Sequence, residues 1–185
     1  MKDDQNRQRF RDVVLPHLDD ALSLARWLTG SVSDGEDVVQ EACLRAFAAI
    51  GSVGDANPRA WLLTIVRNTA FTWLAKNRPK TLIVTANDRL FEEAASQMTV
   101  REDAQTPESL LIAKADAEML HRAIASLPVQ YREIIVLREI EGFGYREIAK
   151  IASIPVGTVM SRLARARRLL IQQIGSLHSV GEGAA

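Results

Sequence analysis

The chain of 185 residues has a single cysteine, Cys43, so no internal disulfide can form, which suits a reducing cytosol. Its three histidines, His17, His121 and His178, are scattered and lack metal-ligand spacing. It shows no Ser/His/Asp or Cys/His set and no phosphate-binding glycine loop. These absences argue against an enzyme and leave no catalytic residue, metal or cofactor to assign. No apolar run approaches the ~20 residues needed to span a bilayer. The opening residues MKDDQNRQRF lack the apolar stretch of a signal peptide. A cytoplasmic protein with no membrane insertion is therefore expected. Aromatic residues make up only 5%, and runs rich in Val, Ile, Thr and Tyr are nearly absent, which predicts an all-α fold. The zero formal net charge does not suggest a general nucleic-acid coat protein.

The hydrophobic content of 47% is enough for a packed core, and its spacing is helical. Phe10, Val13, Val14, Leu18, Ala21, Leu24, Ala25 and Leu28 form a first stripe, interrupted at Pro16 and stopped at Gly30. Ser33 and Glu36 make a capping-box pattern that predicts the next helix start. Val39, Cys43, Ala46, Phe47 and Ile50 are its predicted apolar side, with Cys43 a small buried hydrophobe and Gly51 the helix end. Asn57 and Pro58 predict a third helix through Trp61, Leu62, Ile65, Val66, Ala70, Phe71 and Leu74 to about Asn77, stopped by Pro79.

Periodicity then fades, and the polar stretch SQMTVREDAQTP predicts a flexible linker over residues 79–106. Leu82, Ile83, Val84, Leu90 and Phe91 are its apolar exceptions. Thr106 and Pro107 restart helix, and Pro128 breaks it. Another helix is expected from Tyr131 to Glu141, with Ile134, Ile135, Leu137 and Ile140 inward. The expected organisation is two small helical domains, 7–78 and 107–175, with a frayed tail over 176–185.

After the turn Gly142-Phe143-Gly144, the stretch YREIAKIASIPVGTVMSRLARARRLL reads as two short helices joined by a tight turn. The second carries Arg162, Arg165, Arg167 and Arg168 with no acid among them. That pattern places side chains in the DNA major groove in many proteins. Charge is also segregated elsewhere. Residues 34–41 carry Asp34, Glu36, Asp37 and Glu41 without a base, and residues 59–80 carry Arg59, Arg67, Lys76, Arg78 and Lys80 without an acid. Such segregation fits one protein-facing surface and separate DNA-facing surfaces; ordinary solvated helix faces are the alternative.

Three stretches carry a resemblance. SDGEDVVQEACLRAF, Ser33 to Phe47, resembles the part of region two of extracytoplasmic-function sigma factors that docks on a coiled coil of the largest RNA polymerase subunit. NPRAWLLTIVRNTAFTWL, Asn57 to Leu74, is similar to the part that opens the promoter and reads the −10 element. Leu127 to Leu170 is similar to region four, which reads the −35 element. The order and the gap between them also match the family. The chain departs from the pattern at Gly35, where Ala is common, at Gly144, where a capping Ser or Thr is frequent, at Ser153, where Gly is frequent, and at Met160, where some members place a basic residue.

The resemblance implies a non-enzymatic protein that binds core RNA polymerase and promoter DNA, usually under an anti-sigma partner. Asp37, Gln40, Glu41, Leu44 and Arg45 fall opposite the Val39–Cys43–Phe47 stripe, and by resemblance they form the polymerase-binding patch. For the −10 region the candidates are Arg59, Trp61, Arg67, Asn68, Trp73 and Lys76. The tryptophans can stack on unpaired bases, with a core position the open alternative for Trp61. The Asn68 amide can bond an extruded base edge, and by resemblance it lines a pocket for a flipped −10 base, together with the loop Ser52 to Asn57. Arg59, Arg67, Lys76, Arg78 and Lys80 can neutralise phosphates. For the −35 region the candidates are Thr158, Ser161, Arg162, Arg165 and Arg168, with Val156, Val159, Leu163 and Leu170 packing inward. A helix-turn-helix regulator that binds operators as a dimer is the rival reading; it leaves the first two stretches unexplained.

Overall fold

A computed structural model describes residues 2–53, 57–77 and 107–181. The expected linker with its apolar residues, and Arg78, Pro79 and Lys80, lie outside the described residues. Every regular element among those described is helical, as the composition predicts.

The first unit contains four α-helices. α1 (Lys2–Val13) leads through a 3₁₀ turn at Leu15–His17, where Pro16 sits, into α2 (Leu18–Thr29). Helix thus reaches further toward the N-terminus than the apolar stripe alone predicts. Gly30 ends α2 with φ 70, a left-handed position that glycine adopts without a Cβ penalty. α3 (Val32–Ala48) follows at once. Its cap is Ser31, not Ser33: Ser31 is extended, and its hydroxyl accepts from the Asp34 N–H at 3.4 Å. Glu36, the expected capping partner, instead accepts from Arg26 Nη2 of α2 at 3.2 Å. α3 ends at Ala48, and Gly51 lies in a 3₁₀ turn, Ile50–Ser52. α4 (Pro58–Asn77) starts as predicted, with Asn57 Oδ1 accepting from the Arg59 N–H at 3.1 Å and the Ala60 N–H at 3.4 Å.

Leu24, Leu28, Val38, Ala42, Leu62, Leu63 and Val66 are buried where α2, α3 and α4 meet. Gly35 allows the α2–α3 approach. A Cβ there would lie 2.8 Å from Arg26 Cγ and 3.0 Å from the Arg26 backbone nitrogen. Forcing such a contact costs about 1–3 kcal/mol, more than the ~1 kcal/mol that alanine gains over glycine in a helix. Gly35→Ala is therefore expected to lower the urea midpoint with an unchanged slope. An equal or higher midpoint would show that the two helices have room to part.

The second unit begins with α5 (Pro107–Ser126), and Pro128 then caps α6 (Val129–Ile135). α6 does not continue regularly to Glu141. Over Val136–Ile140 it widens into a π turn, with the Glu141 N–H donating to Val136 O at 2.9 Å. The wider turn shifts the phase of the following residues. Ile134, Ile135 and Leu137 are buried as predicted, but Ile140 turns outward and is 44% exposed. Gly142 (φ 73) and buried Phe143 lead into α7 (Tyr145–Ala152), where the Glu147 carboxylate accepts from the Gly144 N–H at 3.0 Å. This bond is one half of a capping box, and the other half is missing because Gly144 has no side-chain oxygen to accept from the first-turn N–H groups. α8 (Val156–Gly181) completes the unit.

Candidate nucleic-acid interface

α7 and α8 form the helix-turn-helix. Ser153, between them, has φ 54, the left-handed conformation that explains why glycine often stands at such a turn. Val159, Leu163, Ala166 and Leu170 recur at helical spacing and are buried, as are Ile148 and Ile151 of α7. This fixes the rotation of α8. Ser161, Arg165 and Arg168 are exposed, and Thr158 and Arg162 are half-buried. Val156, expected inward, is 37% exposed: it begins the helix, ahead of the first buried turn. Met160 is 53% exposed. Arg167 donates to Glu139 Oε1 at 2.6 Å, across the exposed surface of the unit.

α4 divides its candidates between two environments. Asn68 and Lys76 are exposed, and Thr72 between them continues one open face at four-residue intervals. Trp61 and Trp73 are half-buried and packed against the core, so each has a structural role whatever else it does. Arg59 and Arg67 face the second unit. Arg59 Nε donates to Asp20 Oδ2 at 2.6 Å, and its Nη2 donates to Glu141 Oε2 at 2.6 Å. Its guanidinium also lies 4.5 Å from the Phe143 ring centroid. Arg67 Nε donates to Glu133 Oε1 at 2.6 Å, and its Nη1 donates to Asn68 Oδ1 at 3.1 Å.

α3 brings Asp37, Gln40, Glu41, Leu44 and Arg45 to the surface together, with Arg45 Nε donating to Glu41 Oε1 at 2.8 Å. Leu44 is 69% exposed. The opposite face is set slightly differently from the predicted stripe: Val38, Val39, Ala42 and Ala46 are buried. Cys43 is half-buried, and burial pushes its thiol pKa up, against a role as a reactive thiolate. Phe47 is 40% exposed, with its ring edge-on to Phe10 at 5.6 Å between centroids. α1 stops short of covering it fully, so the apolar part of this surface is wider than the sequence suggests.

Two family models match these units: Sigma-70 region 2 over residues 13–80 and Sigma-70, region 4 over residues 117–170. The RNA polymerase sigma-H factor of Pseudomonas aeruginosa is 33% identical over 168 residues, which span 89% of this chain and 86% of that protein. The ECF RNA polymerase sigma-E factor of Escherichia coli K12 is 37% identical over 147 residues, 78% of this chain and 75% of that one. This chain belongs to the extracytoplasmic-function sigma factors. A solved structure of the sigma factor RpoE from Bartonella quintana, in complex with the anti-sigma factor NepR, superposes with a TM-score of 0.65. That match has 27% identity and covers 90% of this chain and 96% of the other.

The sigma factor is thus a non-catalytic initiation factor that directs core RNA polymerase to promoter DNA. Among the described residues, no helix is long and apolar enough to cross a membrane. Sequence reasoning did not single out Arg132, Glu133 and Glu141, all of region 4 and all buried. One signal for Glu133 was present: it stands four residues before Leu137 and so shares its helix face, and both are fully buried.

Proposed function

We propose that the sigma factor docks on core polymerase through the α3 face of Asp37, Gln40, Glu41, Leu44 and Arg45. Its α4 contacts the −10 element through Arg59, Arg67, Asn68 and Lys76, with Trp61 and Trp73 beside them. Its α8 reads the −35 element through Thr158, Ser161, Arg162, Arg165 and Arg168. It works in the cytoplasm, and an anti-sigma factor controls it by competing with core polymerase. The Bartonella relative crystallised with an anti-sigma factor supports anti-sigma control; the competitive mode is part of the proposal. Competition between a candidate anti-sigma protein and core polymerase in a titration tests it; simultaneous binding of both would oppose it.

The observation that carries the −35 reading is the rotation of α8. Four buried apolar residues turn Arg165 and Arg168 outward with Ser161, on a helix segment without acids. A base-contacting arginine pairs with guanine by two bonds and discriminates at one position, whereas a phosphate contact weakens all sequences alike. Arg165→Ala holoenzyme is expected to lose about tenfold discrimination at a single −35 base pair. Arg168→Ala is expected to weaken every promoter and lower the salt slope by about one. A panel of −35 variants measured across a salt series checks both. If neither substitution changed affinity or base preference, α8 would not be the reader.

A further inference from the structure

Met160 stands apart on the reading surface of α8. Val159, Leu163, Ala166 and Leu170 fill the interior side of the helix, and Met160 remains 53% exposed. Val156, four residues before it, is 37% exposed, and Ala164, four residues after it, is exposed as well. Residues at four-residue intervals lie one above another on a helix, so the three form a continuous apolar row. The row runs beside Ser161, Arg165 and Arg168, which the rotation of α8 turns outward. No charged residue stands between Val156 and Ser161; the first on the helix is Arg162. The entering end of α8 therefore offers only hydroxyls and apolar groups, and Ser161 Oγ already donates to Thr158 O at 3.1 Å.

Among the base edges of the major groove, only thymine presents a methyl group; the others offer hydrogen-bond donors and acceptors. A methionine set against those polar edges strips water from them without replacing its hydrogen bonds. Against a thymine methyl it removes apolar surface from water on both partners. Its unbranched, polarisable side chain also adapts to the shape it meets. We infer that Met160, backed by Val156, reads a thymine methyl, so that the −35 element of this sigma factor carries a T·A pair at a position distinct from the one Arg165 reads. Met160 and Arg165 are five residues apart, roughly 7.5 Å along the helix, which corresponds to about two base-pair steps. This inference deepens the assignment of α8 to the −35 element and rests on it.

The test isolates the methyl group. Holoenzyme first selects −35 duplexes from a randomised pool. Each thymine of the selected duplex is then replaced, one at a time, by deoxyuridine, which pairs identically and lacks only the methyl. One replacement is expected to weaken binding by the parent holoenzyme about fourfold, the effect of burying a single methyl. Met160→Gln, close in length and helix preference, is expected to bind the thymine and uracil duplexes equally. Met160→Leu, which stays apolar, is expected to keep the difference. Met160 is exposed, so neither change disturbs the core of region 4.

A parent holoenzyme indifferent to every replacement would overturn the inference. So would a deoxyuridine effect that persists undiminished in Met160→Gln, which would assign the methyl contact to another residue. If Met160→Gln altered only assembly with core polymerase, the row would be a protein-docking face and the thymine contact would fall. Arg165→Ala holoenzyme, measured on the same duplexes, separates these failures from failure of the −35 reading. If it loses discrimination at its own base pair, α8 still reads DNA and only the methyl contact is removed. If it too is silent, the assignment of α8 falls with it.

Discussion

Asp37→Lys/Glu41→Lys is expected to lower the affinity of the sigma factor for core polymerase by roughly a hundredfold while leaving its helical content unchanged. Both carboxylates are exposed on α3, on the face opposite Val38, Val39, Ala42 and Ala46, so neither supports the core. The fold loses only the surface pair of Glu41 with Arg45, and gains a like-charge i,i+4 contact; each is worth about 0.5 kcal/mol or less. Docking loses far more. Charges facing a complementary surface become like charges, which costs several kcal/mol, and about 2.7 kcal/mol corresponds to a hundredfold. Fluorescence titration of labelled protein with core polymerase measures the affinity, and circular dichroism measures the fold. A normal titration curve would remove α3 as the docking face.

The helices, most of their boundaries and the rotation of α8 were legible because each rests on local chemistry. Asn57 before Pro58, Gly30 after α2, and the spacing of Val159, Leu163 and Leu170 act within a few residues of themselves. The misjudged details have non-local causes. Ser33 and Glu36 have a capping spacing, but Gly30 turns the chain so sharply that Ser31 already sits at the helix entrance, and Arg26 of α2 takes Glu36. The π turn at Val136–Ile140 lies in an apolar run where several phases look equally plausible, so its effect on Ile140 could not be read. Phe47 has the spacing of a core residue, and only the reach of α1 decides how much of it is covered.

The contact between the two regions is the extreme case. In the sequence, Arg59 and Arg67 are unpaired bases, and Glu133 and Glu141 are ordinary acids on another helix. Their partnership joins residues 66 and 82 positions apart, and no period or motif encodes a pairing at that distance. The same α4 nevertheless keeps its other face open. The candidates the sequence grouped as one −10 set are therefore divided into exposed residues, Asn68 and Lys76, tryptophans packed against the core, Trp61 and Trp73, and arginines paired with carboxylates of region 4, Arg59 and Arg67.

Asn68→Ala is expected to slow open-complex formation by roughly thirtyfold while changing initial promoter binding less than about twofold. Asn68 is exposed, and its Oδ1 accepts from Arg67 Nη1 at 3.1 Å, which leaves the amide NH₂ to donate to another partner. In duplex DNA a base edge is paired and stacked, so that donor gains nothing at the encounter stage. Once the −10 region melts, an extruded base presents acceptors on its pairing edge, and a hydrogen bond there contributes about 2 kcal/mol of the roughly 1–3 kcal/mol such contacts supply. The loss then falls on the melting step. Permanganate footprinting over time measures opening, and gel mobility at low temperature measures initial binding. A template with a pre-melted −10 bubble adds a sharper condition: the variant should remain sensitive to the identity of one captured base and indifferent to its neighbours. Normal permanganate reactivity together with normal transcription would remove Asn68 from the base pocket.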